Sequence, residues 1–257
     1  MPGTAVVLGS GTSNGVPMLG IRYPDSFLAD PRNHRTRCSL LLKGPGGNVL
    51  VDCTPEMRLQ LLRAGVTDIA ATFVTHTHAD HIMGMDDLRS FCIVHRKAMP
   101  IYTSAAYLED IRRVFPYAFE DAPPGLYFPK FEPILVPELP QVYDLCGLKI
   151  QTFWVEHGSI PCMGLRVNDF AYITDVSRIP PDVMPLLQGL EVLILDAVRH
   201  NPHPNHFHFE ESVKVSRQIG AKMTFLTHLC DEYDHGPYEA TLPAEIRLAY
   251  DSLEIPL

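Results

Sequence analysis

The sequence predicts an α/β fold, an αββα sandwich in which two mixed sheets pack face to face with helices outside. Three observations carry this expectation. Apolar runs of strand length recur in both halves of the chain, bounded by Gly, Pro, Asn or Asp. Capped runs of helical length fall between them. One strand-like run after another stops at a His or an Asp. No linker-like stretch divides the 257 residues, so residues 1–257 are expected to form a single domain.

Taken in order, Ala5-Val6-Val7-Leu8 reads as a short buried strand. It runs into Gly9-Ser10-Gly11-Thr12-Ser13-Asn14-Gly15-Val16-Pro17, whose glycines form either a plain turn or a cradle of backbone amides for an anion. Residues 21–37 are polar and read as a surface loop. Residues 39–43 and 48–52 form a hairpin around Gly44-Pro45-Gly46-Gly47. Residues 55–65 form a helix with Thr54 as N-cap, Pro55 at its first position, Gly65 as its stop and Met57, Leu61 and Leu62 as its buried stripe. A strand, Ala71-Thr72-Phe73-Val74, follows, then a helical stretch at 86–91, a strand at 101–103 and a helix at 104–115. Residues 116–140, rich in Pro and aromatics, read as a covered connection rather than a lid. In the second half, strands at 149–155, 162–167, 170–174, 192–195 and 223–226 surround a helix at 209–219.

Bulk composition narrows the function. With 46% hydrophobic and 20% charged residues the chain is built like an ordinary globular enzyme. No apolar run reaches membrane-spanning length and the first residues lack a signal-type core, so no membrane partner and a cytoplasmic location are expected. The six scattered cysteines form no Cys-x-x-Cys pair and read as reduced core thiols. A balance of 21 basic against 30 acidic residues, without a basic block, argues against a long polyanion such as nucleic acid. A small anion needs only a local pocket.

Chemistry concentrates in Thr75-His76-Thr77-His78-Ala79-Asp80-His81. Imidazole nitrogen and carboxylate oxygen suit zinc, manganese or iron, and His-x-His puts two imidazoles on one side of an extended backbone. His76 and His78 would serve one metal, Asp80 and His81 another. His157, Asp175 and His228 also stand at strand ends, which makes them the completing candidates.

The pattern His76-x-His78-x-Asp80-His81, followed by His157, Asp175 and His228, resembles the metallo-β-lactamase superfamily, whose fold is the αββα sandwich. That resemblance implies two divalent metal ions, zinc or manganese. It gives His76, His78 and His157 to one, Asp80, His81 and His228 to the other, and Asp175 to both. It implies hydrolysis by a hydroxide generated at the metals. His206-x-x-x-Glu210-Glu211 resembles the helix-leading histidine motif of tRNase Z and of the phosphodiesterase accessory to carbon–phosphorus lyase, which makes His206 the candidate proton donor beside the catalytic Asp80. His208 is expected to cap the helix, and His200 and His203 to be solvated.

The stretches 9–17, 35–39, 52–60 and 81–89 are most similar to the carbon–phosphorus lyase group, the phosphoribosyl cyclic phosphodiesterases. The expected substrate is therefore a small cyclic phosphate diester, with Ser10, Thr12, Ser13 and Arg199 as candidate substrate-binding residues. The alternatives are a tRNA 3′-processing endonuclease and a non-catalytic nucleotide- or metal-binding protein on the same scaffold. A homodimer is compatible with all three. The stretch Leu19-Gly20-Ile21-Arg22-Tyr23-Pro24 lacks the cysteines with which members of the group bind a separate structural zinc, so none is expected.

Overall fold

A computed structural model describes residues 3–257. The chain runs through β1 (Thr4–Gly9), β2 (Ser39–Gly44), β3 (Gly47–Val51), β4 (Ala71–Phe73), β5 (Met99–Thr103), β6 (Phe131–Leu135) and β7 (Gln141–Leu145). It continues through β8 (Leu148–His157), β9 (Ile160–Val167), β10 (Phe170–Ile173), β11 (Val192–Asp196), β12 (Met223–Thr227), β13 (Ile246–Leu248) and β14 (Glu254–Pro256). The helices are α1 (Asp25–Ala29), α2 (Met57–Arg63), α3 (Ala79–Ile82), α4 (Arg89–His95), α5 (Ala105–Val114), α6 (Phe209–Ile219) and α7 (His235–Glu239). One sheet has the order β14-β1-β2-β3-β4-β5-β6 and the other β13-β12-β11-β10-β9-β8-β7. The expected sandwich of two mixed sheets is what forms.

Strand alternation explains the layers. Val7, Leu40, Leu42, Val49 and Val51 pack between the sheets against Ile150, Leu165, Tyr172 and Ile194. Their sequence neighbours Val6, Leu8, Leu41 and Leu50 pack outward with Met57 and Leu61 of α2 and Ile111 of α5. On the far side Phe153, Ala171, Ile173, Leu193 and Leu195 bury Ile219 of α6. Both helix layers thus cover a sheet face that would otherwise meet water.

Parallel pairing sets the position of the site. β3, β4, β5 and β6 pair in parallel in the first sheet, as do β10, β11, β12 and β13 in the second. Strands that run the same way deliver their carboxyl ends to one edge, where a crevice opens. β8 joins them because it is antiparallel to β9, which is antiparallel to β10.

Several local expectations needed correction. Residues 21–37 are no plain surface loop: they contain α1 and bury Asn33 and Arg35 to 0% and 1% exposure. Polarity misled there because Asn33 is satisfied internally, by Phe27 O, Asp234 and the His235 amide. α2 starts at Met57 rather than Pro55, and Thr54 turns its hydroxyl to Gln60 instead of capping. Leu62 is 62% exposed, so the buried stripe is Met57, Gln60 and Leu61. The stretch at 86–91 divides into a 3₁₀ turn, Met85–Leu88, and the start of α4. Residues 116–140 act as a connection: Phe115, Ala118 and Phe131 bury against the outer core, and β6 pairs along β5. Among the described residues no helix is long and apolar enough to cross a membrane.

Candidate metal centre and active site

β4 releases the chain at Val74, and the next seven residues carry the first cluster over the sheet edge. His76 and His81 are wholly buried, His78 is exposed, and α3 brings Asp80 round to the same side as His81. β8 ends on His157, β10 is followed by Asp175, and β12 by His228. These seven are the residues singled out in the sequence, and the fold brings all of them together.

They fall into sets with metal-ligand spacing. His76, His78 and His157 each offer one atom within 4.8 Å of the others, and so do Asp80, His81 and His228. Asp175 lies between the sets. Its carboxylate is 3.9 Å from His157 Nε2 and 4.0 Å from His76 Nε2 on one side, and 3.4 Å from both His81 Nε2 and His228 Nε2 on the other.

Whether these groups suit cations can be judged from their unmet demands. His76 Nε2, His81 Nε2, His228 Nε2 and Asp175 Oδ1 are buried without a hydrogen-bond partner among the described residues. Four such atoms aimed at one space would be costly unless something positive completes them. Their tautomers fit as well. His81 Nδ1 donates to Asp52 at 2.8 Å. The Thr75 hydroxyl donates to Asp52 at 2.9 Å, so its oxygen is left to accept from His76 Nδ1 at 3.1 Å. His157 Nδ1 donates to the Asn205 carbonyl at 2.6 Å. Each imidazole is thereby held with its Nε2 lone pair inward, the form that binds a metal. Asp52 and His228 both sit in the left-handed region, at φ 64° and 58°. Such strain is tolerated where the surroundings fix the residue.

Electrostatics agree. Burial pushes the Asp175 carboxyl up, but His228, His81 and His76 around it outweigh that and hold it well below the usual carboxylate range. Asp80 is likewise raised by burial and lowered further by His81 and His228, leaving it ionised. Burial depresses His76, and lowers His157 to about 4, so both are neutral donors at neutral pH. His206 goes the other way. Burial lowers it, yet the Asp196 carboxylate, 2.8 Å from its Nδ1, raises it to about 9.

A cavity of about 360 Å³ opens over the cluster. His78, Asp80, His157, Asp175, His206 and His228 form its floor, and Thr12, Ser13 and Arg199 reach its wall. Ser10 does not. It is fully buried, and its amide and hydroxyl both hydrogen-bond Asp251 at 3.0 Å, since a hydroxyl at that depth needs an internal partner. His203 lines the cavity with its ring 4.9 Å from that of His206, so it is not the solvated residue expected. His200 packs between Tyr233 and Tyr238. His208 holds the N-cap position of α6 without a capping side-chain bond, its Nδ1 lying 3.4 Å from Glu211. Asn14, Asn205 and Cys230 also line the cavity and were missed. Asn14 and Asn205 adjoin motifs already singled out, which was the available signal. Cys38 is buried 3.3 Å from the Thr227 hydroxyl.

The chain is 33% identical over 253 residues to an octanoyltransferase of Porphyromonas gingivalis, covering 97% of this chain and 50% of that protein. It is 30% identical over 150 residues to a ribonuclease Z of Treponema denticola, covering 54% of this chain and 45% of that one. The chain thus spans about half the length of these relatives. A solved diphosphatase of the PhnP family superposes with a TM-score of 0.91 at 36% identity, covering 100% of this chain and 98% of that one. Residues 47–229, the stretch that carries all seven clustered residues, match the model of the Beta-lactamase superfamily domain, and the chain belongs to that superfamily.

Proposed function

We propose that residues 3–257 work as a metal-dependent phosphodiesterase acting on a small, cyclic phosphate diester. The observation that carries this reading is the placement of Asp175 between two three-residue sets whose inward atoms lack partners. His76, His78 and His157 would hold one divalent cation and Asp80, His81 and His228 the second, with Asp175 shared. Zinc and manganese both accept such nitrogen and oxygen donors. Bound there, the pair supplies Lewis acidity towards a phosphoryl oxygen and the attacking water.

The chain's own residues do the remaining work. Asp80 and Asp175, kept ionised, hold negative charge beneath the position of the reacting group. His206 lines the cavity with Nδ1 given to Asp196, so its deliverable proton is on Nε2. With its pKa at about 9 it is protonated at neutral pH and acts as general acid to the leaving oxygen. The buried floor keeps these groups in place before substrate arrives. A cavity of this size fits a compact phosphoester, and the net charge of −9 disfavours a long nucleic acid.

The test is turnover of bis(p-nitrophenyl) phosphate by zinc- or manganese-loaded protein, with and without chelator. Chelator-sensitive turnover that falls in His206→Ala supports the reading; turnover indifferent to chelator sinks it. Likeness to the PhnP-family diphosphatase over the whole chain favours a second reading, hydrolysis of a diphosphate bond at the same centre. A dinucleoside diphosphate assayed beside a ribose cyclic phosphate separates the two.

A further inference from the structure

One wall of the cavity carries a hydrogen-bond donor with no assigned partner. Residues 12–15 make a tight turn closed by the Gly15 amide donating to the Thr12 carbonyl at 2.8 Å, with Gly15 at φ 65°. The Thr12 amide is used on the Leu229 carbonyl at 3.1 Å. Among the described residues nothing accepts from the amides of Ser13 or Asn14, and both residues are exposed.

Arg37 decides which way one of these amides faces. Its Nε donates to the Ser13 carbonyl at 3.1 Å, and its Nη1 pairs with Glu56 at the start of α2. The guanidinium lies against the back of the turn, where a Cβ on Gly15 would come within 3.6 Å of Nη1. In a trans peptide the carbonyl and the following N–H point in opposite directions. With the Ser13 carbonyl turned onto Arg37, the Asn14 N–H is turned away from it. Thr12, Ser13 and Asn14 line the cavity and Arg37 does not, so the side away from Arg37 is the cavity side. Among the described residues Arg199 is the single guanidinium or ammonium lining the cavity, and it shares this space. Its Nε and Nη2 are held by the carbonyls of Asn201 and Pro202.

We propose that the turn at residues 12–15 is an oxyanion subsite for a substrate phosphate, with the Asn14 N–H as donor, and that Arg37 is the positioning residue that aims it. The proposal rests on the phosphoester reading above for the identity of the anion. A backbone N–H facing a phosphate oxygen is a charge-assisted bond, and a turn that offers it forms a concave anion seat. Arg37 acts through the turn and does not touch the anion. Its guanidinium holds a carbonyl and a carboxylate at once, which a lysine does only in part.

The direct readout is the amide spectrum of ¹⁵N-labelled, zinc-loaded protein titrated with inorganic phosphate. The Asn14 amide proton is expected to move downfield and saturate. In Arg37→Met that movement is lost and phosphate binding weakens roughly tenfold, while the zinc content is unchanged. Arg37→Lys restores part of the shift, and Glu56→Gln weakens it in the same direction, which covers the case that Arg37→Met does not fold. In turnover, KM rises and kcat stays within about twofold, as expected for lost uniform binding. An Asn14 amide that stays still while phosphate binds, or an Arg37→Met protein that titrates like the parent, overturns the proposal. If bis(p-nitrophenyl) phosphate is not turned over yet Asn14 responds, the phosphodiesterase reading falls and the subsite stands. Turnover with a silent Asn14 removes the subsite alone.

Discussion

The floor and the wall of the cavity are built on different physics. In and just beneath the floor, His76, His81, His157, Asp175 and His228 are 0–2% exposed, and Nδ1 of His81, His76 and His157 is held by Asp52, the Thr75 hydroxyl and the Asn205 carbonyl, respectively. On the wall, Ser13 and Asn14 are exposed and held through the backbone, by Arg37 behind and Leu229 beside them. Buried side chains at strand ends form a rigid donor set for a cation, whereas an exposed turn presents main-chain donors to whatever anion enters. The floor would therefore set the reaction and the wall the substrate.

The largest expected effect breaks the floor. Asp175→Ala removes the carboxylate common to both sets, and metal content and turnover should fall together, as read by elemental analysis and bis(p-nitrophenyl) phosphate hydrolysis. Next comes His206→Ala, which should lower kcat about 10²–10⁴-fold with metal content intact, the range of a positioned general acid. A loss confined to KM would mean that His206 binds rather than donates.

Smaller effects sharpen the contrast. Asp52→Asn leaves every inward donor in place but disturbs His81, so roughly 10–100-fold weaker metal binding is expected from competition with a chromogenic chelator. In the pH profile, His206 has its pKa raised from 6.5 to about 9. Turnover should therefore decline as pH rises through about 9, and Asp196→Asn should move that limb towards lower pH. The stability contributed by the raised pKa of His206 follows the same sign: with Asp196 ionised it is fully present below about 6.5 and lost as pH rises through about 9. Least of all, Arg37→Met should change KM and little else.

The two regions also differed in how legible they were. The seven clustered residues could be read because each stands at or shortly after the end of an apolar strand, and parallel strands must deliver their ends to one edge. His76, His78, Asp80, His81, His157, Asp175 and His228 all arrive there. The supporting shell was harder to see. Asp52 and Asp196 occupy strand ends as the ligand candidates do, and only three-dimensional distance shows that they face Nδ1 atoms. The wall was least legible, since glycine-loop composition cannot say which hydroxyl turns inward. Ser10 is clamped by Asp251, 241 residues away, whereas Ser13, three positions on, reaches the cavity. Long-range polar pairs likewise turned residues 21–37 from an apparent surface loop into a segment with a buried Asn33. His203 lines the cavity with its ring 4.9 Å from that of His206, whose Nδ1 lies 2.8 Å from Asp196.

The central claim is a two-cation centre shared through Asp175. Its most direct test is the metal content of zinc- or manganese-loaded protein after gel filtration, measured for the parent and for Asp175→Ala. Two ions per chain in the parent, with both lost or weakened together in the variant, is the expected result. One ion per chain, or a variant that keeps the parent's metal content, would contradict the account.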